Sequence, residues 1–126
     1  MGLATISKLE ILHQHVFRNT SPAIFGVRVI GGKIIENLEL IDENGEEIGR
    51  IKKIQADNKG VHEAKEGQEV AISVSGTNFE RKLKDKNYLY SNIGEKQFKN
   101  FKNNKDLLSA NELKTLQEIK TIKKWI

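Results

Sequence analysis

The chain has 126 residues, 30% of them charged and 37% apolar, and it contains no cysteine. That length holds one modest core, the missing thiols exclude disulfides and thiolate metal sites, and no apolar run approaches the ~18 residues that span a membrane. The net charge of +4 is uneven: residues 1–93 carry 13 basic and 13 acidic side chains, so the whole excess falls in residues 94–126, a placement that favours an acidic partner.

The first stretch, "MGLATISKLE", lacks the basic flank and apolar core of a signal peptide. The run "KLEILHQHVF" then alternates with period 2, which predicts a strand whose inner face holds Leu9, Ile11, His13, His15 and Phe17. After a break at "NTSP", the run "AIFGVRVIGG" predicts a second strand with Ala23, Phe25, Val27 and Val29 inward, closed by Gly31-Gly32. "LELI" is a short third strand, and Asn44-Gly45 is a strong hairpin signal leading into "EIGRIKKIQ". There Ile48, Ile51 and Ile54 recur every three residues, a helical spacing. The β-branched isoleucines and Gly49 favour a bulged strand instead. A long polar loop is expected between Gln55 and Glu69, the kind of segment that carries function in a small barrel. "EVAISVSG" alternates with Val70, Ile72 and Val74 inward, and "YLYSNI" is the last strand.

Near residue 92 the period changes from 2 to 3.6. Asn92 and Glu95 stand at capping-box spacing, Phe98 and Phe101 form a helical pair, and Ser109 with Glu112 opens a second helix. The expected architecture is therefore mainly β: a small closed barrel or sandwich over residues 1–93, then a C-terminal helical hairpin over residues 94–126, packed on or beside it.

Chemistry-bearing motifs are sparse. The phosphate-binding pattern G-x-x-x-x-G-K-[ST] and the nucleophile elbow G-x-S-x-G are both missing from the sequence. His13 and His15 on one strand face raise a metal site, but a third ligand would have to come from His62 or a carboxylate, and a place at the barrel rim explains them as well. The carboxylates are scattered among lysines with no pair singled out for catalysis. The expectation is a non-enzymatic chain.

Four stretches, "VFRNTSPAIFGVRVIGGKI", "DENGEEIGRIKKIQ", "EAKEGQEVAISVSG" and "LSANELKTLQEIKTIKK", occur in the order and at the spacing of a known family. Through them the chain resembles the C-terminal domain, domain IV, of archaeal and eukaryotic translation initiation factor 5B. It departs at "IIENLELI", where the family has a glycine before the strand and Asn37 has to supply the turn. The resemblance implies a barrel of the elongation-factor domain-II type and a cytoplasmic, monomeric, membrane-free module of a GTPase. GTP and magnesium would belong to a GTPase domain elsewhere, leaving this chain without cofactor. Its implied partners are the ribosome, initiator methionyl-tRNA and translation initiation factor 1A, met during subunit joining.

By the same resemblance, Lys53, Gln55, Lys59, Glu69, Val70 and Ala71 line a pocket for the aminoacylated 3′ end. Lysines there would meet phosphates, Glu69 would accept a hydrogen bond from a ribose hydroxyl or the α-amino group, and Ala71 would leave room for the terminal adenosine. Factor 1A would dock on the helices, through a groove with apolar anchors among Phe98, Phe101, Leu107, Leu108, Leu113, Leu116, Ile119 and Ile122. Lys102, Lys105, Lys114, Lys120 and Lys123 would ring it with positive charge. Two readings from other classes stand beside this one: a general RNA-binding or ribosomal β-barrel, expected to expose aromatics on its barrel face, and a small enzyme.

Overall fold

The computed structural model describes residues 5–125. Its strands are β1 (Ser7–Arg18), β2 (Ala23–Ile35), β3 (Glu39–Asp42), β4 (Glu47–Ala56), β5 (Lys59–Val61), β6 (Glu63–Lys65), β7 (Glu69–Ser75) and β8 (Tyr88–Ser91). Its helices are the single turn α1 (Phe79–Lys82), α2 (Glu95–Lys102) and α3 (Ala110–Ile122), with a 3-10 turn at Lys105–Leu107. All strand pairs are antiparallel. The order β1-β8-β3-β4-β7-β2 is closed by β1 pairing β2, so six strands form a ring. The expected barrel is thus present. Ring closure leaves the main strands without free edges. The extreme ends of the predicted bounds, 1–4 and 126, lie outside the described residues.

Alternation fills the interior as the sequence predicts. Ala23, Phe25, Val27 and Val29 of β2 and Ile72 and Val74 of β7 are all at most 1% exposed, and Val70 is 5% exposed. Ile48, Ile51 and Ile54 also point inward despite their three-residue spacing. Register shifts at Leu40/Ile41 and at Ile51/Lys53 account for this: the first makes Ile48 the extra residue and the second makes Lys52 the extra residue, so that all three isoleucines face the core. A second consequence is that Lys52 and Lys53 are both exposed.

Turns explain the connections. Asp42, buried at the start of the β3–β4 hairpin, accepts hydrogen bonds from the Asn44 and Glu46 amides at 2.8 and 3.0 Å, and Gly45 takes φ +85°. Asn37 has φ 71° and makes the turn expected of it. The segment between Gln55 and Glu69 is not the expected long loop. Asp57 and Asn58 both have positive φ and fold β5 back onto β4, while β6 extends β2 through Ile34 and Ala64.

Three further expectations are corrected. Gly31-Gly32 does not close β2, which runs on to Ile35. Gly31 instead allows close approach of α3, since a Cβ there would collide with the hydroxyl of Thr115. The predicted cap at Asn92 gives way to Gly94, whose amide donates to Gln97 Oε1 at 2.9 Å, and Asn92 accepts a hydrogen bond from the Lys123 ammonium. The inward face of β1 ends at Ile11: His13, His15 and Phe17 are exposed.

The second predicted capping box is present. Ser109 Oγ accepts from the Glu112 amide at 3.1 Å, and Glu112 Oε1 accepts from the Ser109 amide at 3.0 Å. The helices share one apolar cluster with the outside of the barrel: Phe98, Phe101, Leu116 and Ile119 pack with Ile6, Ile41, Tyr90 and Ile93. Burying four large side chains at this seam gives the helices a fixed seat on the barrel.

Candidate functional site

The bulges of β1 shape one end of the barrel. Leu12 pairs Gly26 but Val16 pairs Phe25, so His13, Gln14 and His15 are extra residues on β1. Arg18 then pairs Ile24, which leaves Phe17 as a further extra residue. Unpaired bulge residues leave the pleat and their side chains are re-aimed. Gly26 accommodates the arch: a Cβ on it would stand 3.0 Å from His15 Cβ.

Beneath the arch is a cavity of about 460 Å³. Leu12, Ile24, Gly26, Val70 and Ala71 give it apolar walls. His15 and Phe17 close one side, and Gln55, Asp57, Asn58 and Glu69 give it polar groups. Of the six residues predicted for the 3′ end, four meet here: Gln55, Glu69, Val70 and Ala71. Val70 is mostly core and shows the cavity only its edge. Lys53 lies in an adjoining hollow of about 420 Å³ with Lys52, Pro22 and Ser73; the two hollows share Ile24, Gln55 and Ala71. Lys59, exposed on β5, lines neither.

Glu69 already has a partner. Glu10, Arg28 and Glu69 are direct cross-strand neighbours on β1, β2 and β7. Arg28 Nε donates to Glu69 Oε2 at 3.1 Å and its Nη1 lies 3.1 Å from Glu10 Oε1. The hydrogen bond and charge of Glu69 raise the Arg28 pKa above its usual value. The carboxylate in the cavity that no ion pair engages among the described residues is Asp57, on the tight turn.

Sequence reasoning missed Lys52, Asp57 and Phe17 as candidates. The signal for Asp57 was available: Asp-Asn suits two positive φ values in a hairpin turn. For Phe17 there was none, because only the register shift reveals that it faces out. No cluster of three potential metal ligands occurs among the described residues.

On the helical side the predicted anchors divide. Phe98, Phe101, Leu116 and Ile119 are interior, Leu108, Leu113 and Ile122 are half-buried, and Leu107 is 73% exposed. Lys102, Lys105 and Lys114 are exposed and Lys120 is half-buried. Lys123 is occupied: its ammonium donates to the Ile93 carbonyl at 2.8 Å, and burial lowers its pKa. A hollow of about 470 Å³ opens between α3 and the barrel, where Lys114, Gln117, Thr121 and Ile122 face Tyr90 and Glu43.

A closed antiparallel barrel with a cavity at one end and helices seated on its flank is the domain-II type of barrel found in translation factors. Residues 6–90 match the family described as elongation factor Tu domain 4, and the chain belongs to that family. The chain is 42% identical to the probable translation initiation factor IF-2 of Methanoculleus marisnigri over 94% of its own length, and 41% identical to that of Methanopyrus kandleri over 93%. Each alignment takes in 20% of the relative, so the chain spans about a fifth of the length of these proteins. The crystal structure of GDP-bound aIF5B from Aeropyrum pernix superposes with a TM-score of 0.89 at 37% identity, covering 97% of this chain and 21% of that one. The chain is similar throughout to domain IV of archaeal initiation factor 5B.

Proposed function

We propose that this chain is a non-catalytic, monomeric module of a cytoplasmic translation initiation GTPase. It contacts the aminoacylated 3′ end of initiator methionyl-tRNA on the ribosome and docks initiation factor 1A during subunit joining. The observation that supports this most is the cavity under the β1 arch, where Gln55, Glu69, Val70 and Ala71 meet. Its shape and chemistry suit a terminal nucleoside carrying an ester-linked amino acid: apolar walls for the methionyl side chain, amides for ribose hydroxyls, and Asp57 for the α-ammonium. With Glu69 paired to Arg28, Asp57 takes the amine-binding role. Lys53 and Lys52 supply positive charge for the phosphates that precede the terminal residue.

Protection of the methionyl ester of initiator tRNA from hydrolysis tests this. The wild-type chain should slow deacylation, and Gln55→Ala or Asp57→Asn should remove most of the protection. Equal protection by all three would end this assignment. Phe17, exposed on the barrel, favours the second reading of a general RNA-binding barrel. Equal binding of elongator and initiator tRNA, charged or uncharged, would decide for it.

For factor 1A, the hollow beside α3 is the favoured seat, with Ile122 as apolar floor and Lys114 at its rim. An acidic peptide tail with one or two apolar anchors fits that chemistry. Lys114→Glu should weaken binding most at low salt. Loss of α3 contacts without loss of binding would move the seat elsewhere. GTP and magnesium have no role in this chain on this reading, and calorimetry with GTP should give no heat.

A further inference from the structure

We propose that His15 and Phe17 form a stacking platform for the nucleobase of a single-stranded 3′ end, whose preceding phosphates pass over Lys52 and Lys53. This rests on the acceptor-end reading above and names the groups that hold the base and set the direction of the strand.

Phe17 is 66% exposed, although its place in the alternation of β1 would have put it inside. Exposing that much apolar surface is unfavourable in the free protein. It results from a specific device, two successive register shifts in β1. Its ring neighbour is His15: the centroids are 6.4 Å apart and the planes differ by 19°. The two nearly parallel rings stack against each other on the β1 arch. Both line the cavity that holds Gln55 and Asp57. Nearly parallel exposed rings beside a hollow present a π-face that any base can cover, with ring stacking worth on the order of 10- to 100-fold in affinity per base.

Charge gives the strand its direction. The platform cavity carries Asp57 and Glu69, which repel phosphate. The adjoining hollow carries Lys52 and Lys53, both turned outward by the β4 bulge and neither ion-paired among the described residues. The two hollows meet at Ile24, Gln55 and Ala71. A chain that ends in a base therefore lays its phosphates on the lysine side and its last nucleoside on the aromatic side. Gly26 keeps the platform in place, because it lets His15 lie directly on β2.

The test uses an RNA hairpin with a single-stranded C-C-A 3′ end whose last adenine is replaced by 2-aminopurine. Anisotropy of a label on the hairpin loop reads binding, and 2-aminopurine fluorescence reads stacking. Wild type should quench the base on binding. Phe17→Ala should abolish quenching and weaken binding about tenfold, Phe17→Tyr should retain both, and Gly26→Ala should reduce quenching while keeping both rings. Amide NMR spectra of each variant check that the barrel is folded. Binding by wild type without quenching, or quenching unchanged in a folded Phe17→Ala, overturns the platform and leaves the acceptor-end reading standing. Equal binding of a blunt hairpin, or no binding up to millimolar RNA, overturns the acceptor-end reading and the platform with it.

Discussion

Lys8 Nζ lies 2.6 Å from Glu118 Oε1, which ties the first strand to the last helix across 110 positions of sequence. The same oxygen accepts a hydrogen bond from the Tyr90 hydroxyl at 3.2 Å, and the ammonium sits 4.6 Å from the centroid of the Tyr88 ring. The side chains are only 14% and 30% exposed. Removing the carboxylate strands a half-buried ammonium and a phenol, so Glu118→Ala should destabilise by about 2 kcal/mol. Glu118 Oε2 already has no partner among the described residues. Replacing both charges by apolar groups, Lys8→Met with Glu118→Leu, should therefore recover much of the loss. Urea unfolding measures both, and a double variant as unstable as the two single losses added would show that the pair is not coupled.

Tyr90 predicts an alkaline limit. Burial first, and then the Glu118 charge and hydrogen bond, raise its pKa above the usual 10.0. The folded state then holds the phenolic proton where the unfolded chain releases it. The stabilising contribution is complete below about pH 10 and is lost as pH rises from there through the folded pKa. Thermal midpoints between pH 9 and 11.5 should fall less steeply in Tyr90→Phe than in wild type. Parallel curves would place the alkaline sensitivity elsewhere.

Helix and barrel should unfold together. Phe101 is 2% exposed in the cluster that includes Ile6, Ile41 and Tyr90, so Phe101→Ala should cost about 3–5 kcal/mol. Leu107, 73% exposed, should change stability by less than about 0.5 kcal/mol when replaced by Ala. Far-UV signal for the helices and near-UV signal for Tyr90 should give one transition in Phe101→Ala. Two separate transitions would mean that the helices are an independent unit.

The closed barrel was legible because its signals are local. Alternation located β2 and β7, Asn44-Gly45 located the β3–β4 hairpin, and Ser109 with Glu112 located the start of α3. The bulges at Ile48 and Lys52 were legible in part, since isoleucines three apart in a β-branched run fit no regular strand. The arch of β1 was not, because "HQHVF" alternates well enough to read as a plain strand. Only the register of pairing with β2 forces His15 and Phe17 outward. Gln55, Glu69, Val70 and Ala71 could be named from a resemblance, but the Glu10–Arg28–Glu69 row depends on the register of three strands. For the helices, period 3.6 indicated an apolar face without saying what it packs on. Phe98, Phe101, Leu116 and Ile119 face the barrel itself, and the edge near Lys114 and Ile122 stays open.

Salt dependence separates the lysines from the rings. Each phosphate contact on single-stranded nucleic acid contributes about −0.7 to the slope of log K against log salt. Lys52→Gln and Lys53→Gln should each lower the magnitude of that slope by about this amount, weakening the RNA hairpin strongly at low salt and little at high salt. Phe17→Ala should instead shift the line down at every salt concentration with its slope intact, because stacking releases no counterion. Lys59, which lies in neither hollow, serves as the reference, and Lys59→Gln should leave the slope nearly unchanged. A slope insensitive to Lys52 and Lys53 but reduced by Lys59→Gln would route the phosphates over β5 rather than along β4, and the strand direction would have to be reversed.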